Sequence, residues 1–188
     1  MIKILKIQLT IFFVTITSTL LFSQHRCGTM NRLNYEITID DQLNDKRQRI
    51  EKKIKRLKNL NFQNSYNIPV VFHIIYENND ENVSLDQIMS QLSVLNEDFN
   101  RNNSDANQTS GDFIDVAADC NINFCLAQRT PNNDSSSGIT YTQTNITSFS
   151  LYDNRIFHDS LGGKDIWDPN KYLNIYVCDL SNALGFAS

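Results

Sequence analysis

Residues 68–76, IPVVFHIIY, constrain this chain more than any other segment. An unbroken apolar run rich in β-branched and aromatic residues suits a strand covered on both faces, central to a sheet flanked by helices. Pro69 stands near its start, where a missing N–H is tolerated. Ser84 then opens a helix, and Gln87 completes a capping box. Leu85, Ile88, Leu92, Leu95 and Phe99 recur at helical spacing behind it. Residues 122–128, INFCLAQ, and 172–180, YLNIYVCDL, read as further strands. Residues 139–149 alternate Thr and Ser with Ile, Tyr and Phe, as an edge strand or an ordered loop would. Strand, helix, strand in this order predicts a β-α-β crossover in a twisted, mixed sheet, hence an α/β (α+β) fold.

The flanks of this core differ in character. Residues 24–37 lack clean periodicity and read as extended. Over 40–60, Leu43, Ile50, Ile54 and Leu57 share one stripe among Lys and Arg, which predicts an amphipathic helix docked on a domain. The Asn-rich stretch 59–67 serves as a boundary. At the other end, residues 183–188, ALGFAS, open a new small and apolar segment. A three-stranded sheet with one face helix buries little surface, so the fold is expected to continue past this segment.

Export is written into the first residues. Lys3 and Lys6 precede the apolar stretch 7–22, and Ser23 offers a small residue before a polar segment. This is the pattern of a secretory signal peptide over 1–23, and it is shorter and richer in Thr than a bilayer span needs. A secreted product without a stable membrane anchor is expected. The net charge of −4 argues against nucleic acid as a partner, since counterion release needs a clustered basic face.

In an oxidising compartment Cys120, Cys125 and Cys178 could be structural, but an odd three leaves at least one without a partner among them. Cys120 and Cys125 fall in and beside one strand, on opposite faces, which disfavours a bond between them. Neither has a nearby His-Asn arrangement, so both read as buried small hydrophobes. Of the three histidines, His25, His73 and His158, no two have the i, i+4 spacing of paired metal ligands. His73, alone in a strand, reads as a packed residue with a satisfied hydrogen bond. Glycine-rich phosphate loops and seryl nucleophile motifs are missing, so no catalytic residue is assigned.

Several segments in order carry a resemblance: RCGT at 26–29, IPVVFHIIY at 68–76, VLNEDFNR at 94–101, AADCNINFCLAQR at 117–129, GGKDIWDPNKYLNIYVCDLS at 162–181 and LGFA at 184–187. Together they resemble the pappalysin family of metzincin-type metalloproteases. The resemblance implies a signal peptide at 1–23, a prosegment at 24–66 and, over 67–188, the upper subdomain of a catalytic domain with a backing helix. It implies a secreted zinc endopeptidase acting on proteins or peptides, whose HExxHxxGxxH helix supplies three zinc ligands and a general base. That motif is not in these residues, so the chain alone is expected to be inactive. One residue carries over: Cys27, within RCGT, matches a prosegment cysteine that ligates the catalytic zinc and keeps the enzyme latent. The family also admits calcium, with no ligand set assignable here, and nothing in the sequence specifies an oligomeric state. The alternative is a non-catalytic secreted binding module or a truncated remnant.

Overall fold

The computed structural model describes residues 27–57, 65–181 and 183–187. The expected signal peptide, His25, Arg26 and most of the 59–67 boundary lie outside the described residues. Among the described residues the α-helices and β-strands are α1 Thr29–Ile39, α2 Gln42–Leu57, β1 Tyr66–Tyr76, α3 Leu85–Phe99, β2 Ile122–Leu126, β3 Ile139–Gln143 and β4 Leu173–Val177. Among the described residues no helix is long and apolar enough to cross a membrane.

β1 is the spine. Its register pairs residues 66–70 with β2, 72–76 with β3 and 70–74 with β4, every pairing parallel. A strand has only two edges, and the β4 span overlaps both others. β2 and β3 therefore follow one another along one edge while β4 takes the opposite edge. The hydrogen bonds agree, because Tyr66, Val70, Phe72 and Tyr76 all bond toward the β2 and β3 side. Pro69 faces the other way, before β4 begins, so its missing N–H orphans no ladder partner.

The handover from β2 to β3 needs a close approach of backbones. Ala127 N donates to Val70 O at 2.8 Å and Phe72 N donates to Gly138 O at 2.9 Å. Gly138 has φ +72, and a Cβ there would lie 2.6 Å from Ala127 N, so both its conformation and its surroundings exclude a side chain.

α3 backs the sheet as the β-α-β order requires. Its capping box forms as expected between Ser84 and Gln87. Ile88 and Leu92 pack with Val70, Phe72, Ile74 and Phe124 into the main core. Each such side chain taken out of water contributes about 1.5–3 kcal/mol. Asn96 then does what a neighbouring strand would do. Its Oδ1 accepts Phe124 N–H at 2.7 Å and its Nδ2 donates to Phe124 O at 3.0 Å, while Asn100 Nδ2 donates to Ile122 O at 3.1 Å. These amides cover the outer edge of β2, which is otherwise open to pairing.

Three expectations are corrected. Residues 29–39 are helical rather than extended: Leu33 and Ile37, one turn apart, are half-buried like Tyr35 and Glu36, but the buried side chain of α1 is a cation, Arg32, so no clean apolar stripe marks the helix. α2 forms, but its stripe is not docked: none of its residues is buried, and Ile50 and Ile54 are 57% and 55% exposed. Cys120 and Cys125 are exposed rather than buried, since Cys120 precedes β2 in a loop and Cys125 points to its uncovered face. All four cysteines are free, and only Cys178 is partly covered.

Candidate functional site

A groove of about 600 Å³ runs along β4. Tyr176 of β4 and Cys178, just past its end, line the groove, with Phe157 and residues 184–187 at its rim. Burial pushes the Cys178 thiol up to about 12, helped by Asp179, so it stays protonated and unreactive. The Tyr176 hydroxyl donates to Lys164 O at 2.9 Å. Burial, then the carboxylates of Asp165 and Asp159, raise its pKa above the ordinary value.

The N-terminal segment closes on that rim. Cys27 forms a parallel bridge with Gly185, and Gly28 N donates to Gly185 O at 2.8 Å. Thr29 Oγ1 accepts Ala187 N–H at 3.0 Å and lies 3.3 Å from Cys27 Sγ. As a thiol, Cys27 Sγ donates to that oxygen; once deprotonated, it accepts the hydroxyl proton instead. The Cys27 pKa is lowered accordingly, first by the Thr29 side chain and then by its backbone. Cys27 is thus an exposed thiol, more acidic than an ordinary cysteine, beside Gly185 of the groove lining.

Arg32 fixes the segment to the domain. Although a cation, it is only 4% exposed. Its guanidinium donates to Glu36 Oε1 at 2.7 Å, to Leu151 O at 2.9 Å and to Asn154 Oδ1 at 2.7 Å. The rings of Tyr35, Phe157 and Phe186 surround it at 5.7, 5.7 and 5.4 Å. Sequence reasoning missed this residue. The only local signal is the Arg32–Glu36 spacing of a helical ion pair, since its other partners lie far along the chain.

His73 is fully buried at the centre of the sheet, and its geometry fixes a tautomer. Asn174 Nδ2 donates to Trp167 O at 2.9 Å, and its Oδ1 accepts Trp167 N–H at 2.9 Å, which orients the amide. His73 Nε2, 3.0 Å from that Oδ1, must therefore carry the proton, and Nδ1 accepts from Thr140 Oγ1 at 2.8 Å. Both ring nitrogens are used, as expected of a packed histidine. His158 is exposed in a loop.

Among the described residues no three His, Cys, Asp or Glu side chains converge on a point that could hold a metal. Zinc takes four ligands, and Cys27 is a single donor, so these residues do not by themselves make the zinc site that the family resemblance implies.

No family model matches the chain, and no curated protein does. Solved structures do. Mirolysin in complex with compound 9 is 43% identical, with a TM-score of 0.64 over 67% of this chain and 47% of that one. Mature mirolysin from Tannerella forsythia, in complex with a cleaved peptide, is 42% identical, with a TM-score of 0.61 over 64% and 44%. A variant of promirolysin from the same organism is 37% identical, with a TM-score of 0.70 over 87% and 54%. The chain spans about half the length of these structures. The described fold, a parallel-dominated sheet with a backing helix, is metzincin-like, similar to that of the metallopeptidase mirolysin and its pro form.

Proposed function

We propose that this chain is the N-terminal part of a secreted, zinc-dependent metalloendopeptidase of the pappalysin type, made as a latent precursor. In this reading residues 1–23 direct export, 24–66 are the prosegment and 67–188 begin the catalytic domain. Proteins or peptides are the substrates. The zinc ligands and general base belong to residues outside this chain, and Cys27 serves as the latency ligand, one thiolate donor on a segment that must leave.

The observation that carries this reading is the docking of residues 27–39 on the rim of the β4 groove through Gly185, Ala187 and Arg32. Similarity to a metallopeptidase at 43% identity supports the catalytic part. The share of this chain that is matched rises from 64% for the mature enzyme to 87% for the pro form, which supports a prosegment at the N-terminus.

The test is metal analysis and a peptide-hydrolysis assay on the polypeptide encoded by the whole reading frame. About one zinc per chain, with cleavage abolished by a chelator and restored by zinc, is the expected result. A folded product without metal or cleavage would leave the secreted binding module in its place.

A further inference from the structure

We propose that Arg32 anchors residues 27–39 as a dissociable inhibitor, which stays on the domain when the chain is cut within α2 and leaves only when Arg32 is withdrawn from its cage. The word inhibitor rests on the reading above; the anchoring does not.

The two N-terminal helices differ in how they are held. α2 has no buried residue, and its Lys and Arg side chains stand in solvent, where a Lys- or Arg-specific protease reaches them. α1 is held by side chains distant in sequence. Arg32 bonds to Leu151 O and Asn154 Oδ1, Tyr35 stacks edge-on against Tyr152 at 5.1 Å, and Gly28 lies against Leu151. A cut in α2 severs the covalent tether and so removes its effective concentration. It breaks none of these contacts.

Arg32 dominates what remains. Its guanidinium is buried among three aromatic rings, with Glu36 as its only carboxylate. Arginine, with Trp and Tyr, is enriched among the desolvated interface residues whose truncation costs most. Lysine keeps the charge but cannot donate to Glu36, Leu151 and Asn154 in one plane, so it does not substitute. Phe157 and Phe186 also line the β4 groove. Withdrawal of Arg32 therefore uncovers part of the groove rim as well as releasing the Cys27 segment.

The experiment uses the full 188-residue chain, treated with limiting trypsin. Species cut once within residues 46–56 are identified by intact mass and passed through size exclusion. Retention of the N-terminal fragment by the wild-type chain is expected. Its apparent affinity should fall about 30-fold or more in Arg32→Ala and Arg32→Lys. Hydrogen exchange on the uncut chains gives a second readout: both variants should lose protection at 28–39 and 185–187 while β1 keeps it. Release of the wild-type fragment overturns the proposal, as does wild-type retention by either variant. Loss of β1 protection together with the segment also overturns it, because Arg32 would then hold the whole fold. None of these readouts depends on peptidase activity, so a failure of the enzyme reading is separate from a failure of the anchor.

Discussion

The Gly28 amide donates to the Gly185 carbonyl at 2.8 Å, and this bond seats an N-terminal segment against the far end of the described chain. A Cβ at Gly28 would fall 2.4 Å from Leu151 Cδ2. The backbone there has φ −92 and ψ 0, a conformation open to alanine, so the conflict is mainly with the Leu151 side chain. Gly28→Ala should weaken segment docking by about 1–3 kcal/mol, the usual penalty of overpacking. Hydrogen exchange over 28–39 checks this. Adding Leu151→Ala should restore part of the protection by making room.

Thr29 sets the chemistry of Cys27. Thr29→Val removes the hydroxyl that lowers the thiol's pKa, and the value should rise toward the ordinary 9.0. Alkylation of Cys27 by iodoacetamide at pH 7 should then slow, while Thr29→Ser keeps the wild-type rate. Cys120 and Cys125, both exposed, are internal references when the modified peptides are resolved by mass.

His73 makes the fold acid-sensitive. Burial lowers its pKa below the ordinary 6.5, against the opposing bond to Asn174, with Lys164 lowering it further and Asp159 raising it. The unfolded chain therefore binds the proton at higher pH than the folded one does. Stability from the neutral imidazole is complete above about pH 6.5 and is lost as pH falls toward the lower folded value. Urea midpoints between pH 8 and pH 5 should decline for the wild-type chain. In His73→Gln that decline should flatten. Equal slopes in both chains would remove His73 as the cause.

Asn96 replaces a strand with one amide. Asn96→Leu leaves Phe124 N–H and O without partners on a half-buried edge, and should destabilise the chain by about 1–3 kcal/mol in urea unfolding. Asn96→Asp keeps the acceptor for Phe124 N–H and loses only the donors. It should fall between the wild-type chain and Asn96→Leu.

Legibility in the sequence followed how local each signal was. β1 declared itself through six consecutive buried residues, Val70 to Ile75. α3 declared itself through a cap and an apolar stripe. α1 was hidden because its buried side chain is a cation, Arg32, whose partners outside the helix lie 119 and 122 residues away. The serial pairing of β2 and β3 along one edge was not legible either, since it depends on Gly138 fitting against Ala127. At the site, Cys27 was singled out by its RCGT context. Its docking on Gly185 and the anchoring by Arg32 arise only when the two ends of the described chain meet.

The most direct measurement compares wild-type and Cys27→Ser forms of the polypeptide encoded by the whole reading frame in a peptide-cleavage assay with and without a chelator. The account predicts a silent wild type that gains activity once residues 27–39 are removed. Cys27→Ser should be active from the first time point, and the chelator should abolish both activities. Equal initial rates in the two forms, or cleavage that the chelator leaves intact, would contradict it.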